Sequence, residues 1–193
     1  QPRRFRSPFH TAAAPTETVV VYDAYDLMVA ETRDALGNVS TVVTKDETGT
    51  SATRIDYRVL QPYWTTDPNG NRVRVVFDAL GMVTGTAVMG KALPAAAEGD
   101  SLIGFEADLS DTVALAHLAD PLAAPQDILG RASTRLVYDL FAYQRTKTQA
   151  EPQPVAVYTM VRETHDSDPI PAGGLRIQHS FAYCDGFGRE IQK

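Results

Sequence analysis

The sequence has a single cysteine, Cys184, among its 193 residues, so no internal disulfide framework exists and packing must hold the fold. It has no run of about 18 apolar residues, the length that a membrane-spanning helix requires. Cationic residues are outnumbered: 18 Lys and Arg stand against 24 Asp and Glu, a net charge of −6. A general nucleic-acid binder would need a basic face, which this balance argues against. The four histidines, His10, His117, His165 and His179, are scattered with none of the His/Cys/carboxylate spacings typical of zinc sites. No secretory leader is visible. The chain starts at Gln1 rather than Met and stops at Lys193 inside what reads as a strand, so an excerpt of a longer protein is expected and a missing leader is uninformative. The length suits one domain or a slice of something larger.

What the sequence does have is one small device used repeatedly. Asp67-Pro68-Asn69-Gly70 and Asp78-Ala79-Leu80-Gly81 are both Asp-x-x-Gly. Asp at the first position can bond the backbone two residues on, and Gly tolerates the left-handed conformation that closes a tight turn. Asn71 to Phe77 alternates between the copies, with Arg72 and Arg74 on one face and Val73, Val75 and Phe77 on the other. That pattern predicts a strand with one face buried. The step from Asp67 to Asp78 is eleven residues (78 − 67), and Asp23 to Asp34 repeats it (34 − 23). Arg33-Asp34-Ala35-Leu36-Gly37-Asn38 and Asp185-Gly186-Phe187-Gly188 add further copies, and Val137-Tyr138-Asp139 opens a degenerate one. An aromatic residue recurs one or two positions before the aspartate. Short-period repetition of this kind signals an array of supersecondary units, each too small to bury its own face. The predicted turn residues are Asp34, Gly37, Asp67, Gly70, Asp78, Gly81, Asp185 and Gly188, and positive φ or bulges are expected at Gly70, Gly81 and Gly188.

Taken in order, residues 1–17 carry prolines and arginines without periodicity and are expected to form a flexible tail, loose or only pinned along a neighbour. Residues 18–193 are expected to form one mainly β, antiparallel strip, with strands at Thr18–Tyr22, Leu27–Thr32, Val39–Thr44, Ile55–Leu60, Tyr63–Thr66, Asn71–Phe77 and Met82–Met89. The texture changes over about 91–132, which is rich in Ala and Leu and reads as a small helical insertion. Asp111 to Asp120 predicts a helix capped by Ser110 or Asp111 and stopped by Pro121. Pro125 to Leu129, ended by Gly130, predicts a second helical turn. Strands resume at Thr134–Tyr143, Val155–Glu163 and Leu175–Tyr183, with Arg189–Gln192 closing a hairpin.

Several motifs come close to chemistry. Gly85 to Ala92 misses a phosphate-binding loop by one residue, since Ala92 replaces the Ser or Thr that holds magnesium, and Thr86–Met89 reads as strand. Gly99-Asp100-Ser101-Leu102 spells a serine-esterase block, yet no histidine has Asp three residues before it to supply the base. A cap or turn role for Asp100 or Ser101 fits better. Asp166 and Asp168 beside His165 read as a solvated loop, Asn38-Val39-Ser40 as a turn-to-strand joint, and His179, Tyr57, Tyr63, Trp64 and Phe77 as packing groups. No catalytic, cofactor-binding or metal-binding constellation emerges.

Longer blocks carry a likeness. Tyr22-Asp23-Ala24-Tyr25, Asp56-Tyr57-Arg58-Val59-Leu60, Thr66 to Arg72, Phe77 to Val83, Gly85 to Lys91, Leu136 to Leu140 and Phe181 to Lys193 together resemble the Rhs/YD-repeat portion of the B component of bacterial insecticidal toxin complexes (Tc toxins), from about Thr18 onward. The resemblance implies a non-catalytic wall segment: Rhs repeats wind into a β strip that, with the C component, encloses a toxic cargo. It implies a secreted or released complex whose A component contacts regions other than this one. The self-cleaving aspartates of that family belong to the C component, and none is carried over. A serine esterase built on Gly99–Leu102 and a YD-repeat surface-adhesion module are the alternatives. No nucleic acid or direct membrane insertion is expected. A strip cut from a continuous sheet is also expected to self-associate through its strand edges.

Overall fold

The computed structural model describes residues 1–45, 50–91, 98–185 and 189–192. The chain forms two compact units, Gln1–Val75 with the residues from Met89, and Val76–Val88 with the residues from Glu98. Strand dominates, as the alternating patterns predict. Eleven strands share one antiparallel order, β1-β2-β3-β4-β9-β10-β11-β12-β13-β14-β15, while β5–β6 and β7–β8 are separate ribbons.

The first unit contains β1 (Arg4–Arg6), β2 (Glu17–Tyr22), β3 (Val29–Arg33), β4 (Val39–Thr41), β5 (Val43–Lys45), β6 (Ser51–Thr53), β7 (Ile55–Asp56), β8 (Gln61–Pro62), β9 (Trp64–Thr66) and the start of β10 (Arg72–Phe77). These strands are short because a turn signal interrupts every few residues. A small core of Ala30, Val42 and Ile55, flanked by Met28 and Val43, lies among them. The N-terminal tail is pinned along a neighbour rather than loose. Arg4, Phe5 and Arg6 pair with Val19, Thr18 and Glu17, Arg4 and Arg6 both ion-pair with Glu17, and Ser7 Oγ donates to Thr16 at 2.9 Å. Arg3 pairs instead with Asp26, so each arginine of the tail has an acidic partner within the unit.

The strand between the two central turns is half-buried on both faces. Val73 is exposed, whereas Arg72 is half-buried. The guanidinium of Arg72 lies 5.9 Å from the Trp64 ring centroid, and its Nε and Nη2 each donate at 2.8 Å, to the carbonyls of Gly90 and Lys91. A long arginine stem covers apolar surface and brings its own donors, so the arginine face is packed as well as the side of Val75 and Phe77, which are also half-buried.

The second unit contains β11 (Val83–Met89), α1 (Asp111–Ala119), α2 (Gln126–Leu129), β12 (Thr134–Asp139), α3 (Ala142–Thr146), β13 (Val155–Arg162), β14 (Ile177–Cys184) and β15 (Glu190–Gln192). The Ser110 side chain caps α1 by accepting from Val113 N–H, and α2 follows Pro125 as its position predicts. β12 is shorter than expected, because the chain turns into α3 after Asp139, where Arg145 reaches back to the Asp139 carboxylate. β13 and β14 pair over eight residues each and carry a stack of aromatic rings. Tyr158 lies 4.8 Å from Phe181 and 5.9 Å from His179. The Tyr158 hydroxyl bonds to the Pro121 carbonyl at 2.8 Å and to His179 Nδ1 at 2.7 Å, and burial pushes the phenol up to about 12. His179 is thus a cross-strand packing group.

The near-miss phosphate loop has a packing explanation. Gly85 sits within β11 and pairs with Arg135, and a Cβ there would meet Phe105 Cε1 and Cε2 at 2.7 and 2.8 Å. Glycine lets the Phe105 ring lie against the strand. Gly85→Ala is therefore expected to destabilise the chain by about 1–3 kcal/mol, the usual cost of overpacking. The measurement is the urea midpoint, and in Gly85→Ala/Phe105→Leu the penalty should largely disappear because the two sites share one space.

Candidate functional site

The repeated aspartates share one geometry. Asp34 Oδ1 accepts from Leu36 N–H and Asn38 N–H, both at 2.9 Å, and Oδ2 accepts from Asn38 Nδ2 at 2.7 Å. Asp67 repeats this with Asn69, Asn71 and the Asn71 amide at 2.9, 2.8 and 2.9 Å. Asp78 Oδ1 accepts from Met82 N–H at 2.8 Å. In each turn the glycine N–H donates to the aspartate carbonyl, and Gly37, Gly70 and Gly81 have φ of 87°, 85° and 84°. This is a three-residue hairpin loop closed by a residue in the left-handed region. Asp185 makes the same reach to Arg189, accepting from its N–H at 3.3 Å and its Nε at 2.6 Å; Gly188 lies outside the described residues.

A further copy passed unrecognised as a turn. Asp23 Oδ1 accepts from Tyr25 N–H and Leu27 N–H at 3.2 and 2.9 Å, and Asp26, at φ 56°, takes the place of the glycine. Asp23 is also the most elaborate copy, because Oδ2 accepts from the Tyr57 hydroxyl at 2.9 Å and the residue is only 6 % exposed. The eleven-residue step to Asp34 marks it in the sequence.

The carboxylates respond electrostatically to this enclosure. The Asn38 amide, then its backbone N–H, holds Asp34 below the usual carboxylate range. The Asn71 side chain does the same for Asp67. At Asp23 burial pushes upward, but the N–H groups of Leu27, Met28 and Tyr25 and the Tyr57 hydroxyl outweigh it and leave the group lowered.

The second unit has a different centre, Asp100. Its backbone N–H donates to the Val88 carbonyl at 2.8 Å. Its carboxylate accepts from the Ser133 hydroxyl, from His165 Nδ1 at 3.0 Å and from Asp166 N–H at 2.7 Å, with Arg162 Nε 3.8 Å away. Arg162 is itself held by the Ala132 and Gly130 carbonyls, and Arg131 Nε donates to Asp166 Oδ2 at 2.6 Å. One buried carboxylate therefore ties the segment after β11, the approach to β12 and the loop after β13. Serine, aspartate and histidine meet here, but the carboxylate stands between the other two. Nucleophilic catalysis needs the imidazole against the hydroxyl, whereas Ser133 Oγ accepts from Val88 N–H at 2.8 Å and donates to Asp100. Ser101, the nucleophile of the esterase reading, accepts from Ile103 N–H at 3.1 Å through Oγ, a local turn contact. Sequence reasoning read Asp100 as a cap and missed its long-range partners, since 33 and 65 residues separate it from Ser133 and His165.

Among the described residues no group of three His, Cys, Asp or Glu is placed to hold a metal ion, and no helix is long and apolar enough to cross a membrane. Two clefts open beside α1. One of about 450 Å³ is lined by Leu80, Leu115, Leu118 and Phe141 with Asp78 and Arg135. The other, about 460 Å³, is lined by Ile103, Leu109 and Val113 with His117, Asp127 and Arg135.

No protein-family model and no curated protein matches the chain. Solved structures do match. A crystal structure of TcdB2-TccC3-TEV aligns over 91 % of this chain with a TM-score of 0.63 at 18 % identity. The chain has the fold of a stretch of a Tc toxin chain. The Tc holotoxin pore of Photorhabdus luminescens, with a mutated TccC3, gives a TM-score of 0.61 at 19 % identity over 91 % of the chain. A crystal structure of TcdB2-TccC3-Cdc42 gives 0.62 at 20 % over the same share. The chain spans about a tenth of those Tc toxin chains, 10 %, 9 % and 10 % respectively.

The lowered carboxylates set a pH dependence. Because Asp23, Asp34 and Asp67 are lowered in the folded state, their contribution is fully present above the unfolded aspartate value of about 3.9. It is lost as pH falls through the folded values below that. Urea midpoints are expected to drop as pH is lowered from about 4, the unfolded value, and Asp67→Asn should reduce that acid slope. An unchanged slope in Asp67→Asn would show that the Asp67 turn makes no proton-linked contribution.

Proposed function

We propose that the chain is a non-catalytic wall segment of a secreted toxin complex, part of a shell that encloses a toxic cargo together with a C component. One observation carries the reading: the fold shared with TcdB2-TccC3 assemblies across 91 % of the chain. The internal chemistry supports it. Asp34 and Asp67 accept from donors within four residues of themselves, and Asp100 spends its carboxylate on three protein donors. Groups committed in this way suit a part that holds a wall in shape. The A component would engage regions of the full protein beyond this segment.

The test uses the full-length protein that carries this segment, co-expressed with its C component. Protease digestion of the assembled complex should leave the cargo intact. Disrupting the segment's β11–β12 seam with Gly85→Trp should expose the cargo to digestion. A cargo equally resistant in both would refute the wall role. Esterase activity of the intact protein that vanished in Ser101→Ala would instead favour the serine-esterase alternative.

A further inference from the structure

Three elements line the cleft of about 450 Å³ beside α1: the turn after β10, α1 itself and the corner from β12 into α3. The turn supplies Leu80, 73 % exposed, and the corner supplies Phe141, 65 % exposed. A single exposed apolar side chain is ordinary, but several around one concavity mark an interaction surface. Hydrogen bonds hold the lining in place. Asp108 Oδ1, just ahead of α1, accepts from Ala79 N–H at 2.9 Å, and the Tyr138 hydroxyl of β12 donates to the Val83 carbonyl at 2.7 Å.

α1 contributes Leu115 and Leu118. Its sequence, D-T-V-A-L-A-H-L-A, places apolar residues around the whole circumference, yet none of its residues is buried. A helix that is apolar all round belongs in an interior, so its own unit covers it only in part. The charges of the cleft give the sign of what completes the cover. Asp78, Asp108, Asp111 and Asp139 line it against Arg135 and Arg145. Arg145 is spent on Asp139. Arg135 is buried, donates through Nη1 to the Glu106 and Ile128 carbonyls and has the Phe105 ring 4.2 Å from its guanidinium carbon. Asp108 and Asp111 are exposed, and among the described residues neither carries an ion pair. The Tyr138 phenol feels the same field: burial, then the charge of Asp78, pushes it up.

We propose that this cleft docks a cationic, apolar segment of a partner protein, one that presents a large apolar side chain with lysine or arginine beside it. The apolar side chain covers Leu80, Phe141 and the bare part of α1, and the cation lies against Asp108 and Asp111. An amphipathic segment laid apolar face down in a groove is a common mode of peptide recognition. The same carboxylates repel an anionic partner, and that repulsion gives the surface its selectivity. The docking surface is independent of the wall role, and failure of either leaves the other standing.

The test is a titration of the chain, followed by backbone amide NMR, with a short amphipathic peptide of leucine and lysine. Two control peptides carry glutamine or glutamate in place of every lysine. The lysine peptide is expected to shift the signals of Leu80, Leu115, Leu118 and Phe141 saturably. The glutamine peptide should bind roughly threefold to tenfold more weakly, the size of one or two exposed ion pairs, and the glutamate peptide should not bind. Added salt should weaken the lysine peptide and leave the glutamine peptide unchanged. Phe141→Ala, an exposed position whose truncation spares the fold, should cost roughly tenfold, as loss of an aromatic anchor does. Asp108→Asn/Asp111→Asn should bring the lysine peptide down to the affinity of the glutamine one. Equal binding of the lysine and glutamine peptides, an unchanged affinity in Phe141→Ala, or shifts spread over the acidic surface instead of the cleft would each overturn the site.

Discussion

An aspartate that accepts backbone N–H donors inside its own turn is the constraint on which this structure depends. A three-residue loop leaves the two N–H groups that point into the turn without partners in the ladder, and the carboxylate supplies them. The same turn demands one residue in the left-handed region, which glycine adopts without a steric cost. Together these fix where each strand ends and the next begins. Turn geometry sets the register of a hairpin, so Asp34, Asp67 and Asp78 determine which faces of β3, β4, β9, β10 and β11 point inward.

Asp100 solves a different problem. The helical insertion between β11 and β12 cannot bury a core of its own, so its ends must be fastened to the sheet. A buried carboxylate is costly unless its lone pairs are filled, and this one is filled by three donors from two segments, Ser133 before β12 and His165 and Asp166 after β13. Removing it would strand Ser133, His165 and the Asp166 N–H at once. The two centres thus divide the work: Asp34 and Asp67 act within four residues, and Asp100 acts across the unit.

Much of this was legible in the sequence because the signals are local. The Asp-x-x-Gly copies, the Ser110 cap, Pro125 before α2 and the alternation of β13 each depend on neighbours a few positions away. What escaped depends on contacts across the fold. Arg72 looked solvent-facing until Trp64, Gly90 and Lys91 came round it. Arg135 shares the parity of Val137, which the T-R-L-V-Y alternation displays, but a buried arginine runs against expectation without its carbonyl partners in view. The first arm looked loose because one strand of three residues, with its counter-charge eleven and thirteen positions away, gives no periodic signal. Asp26 hid a turn because aspartate stands where glycine was sought.

The strand order has a consequence for how the chain reaches its fold. Most neighbours in the sheet are also neighbours in sequence, from β1 through β4 and from β12 through β15, so those hairpins can close as soon as they are synthesised. Contacts of short sequence separation form fast. Two seams break the pattern: β4 against β9, which waits for the two ribbons between them, and β11 against β12, which waits for the whole insertion. Closing a longer loop costs more chain entropy before any contact rewards it. The β11–β12 seam is registered through only Gly85 with Arg135 and Thr86 with Thr134, so the late step of folding rests on the place where Phe105 lies against a strand that has no side chain.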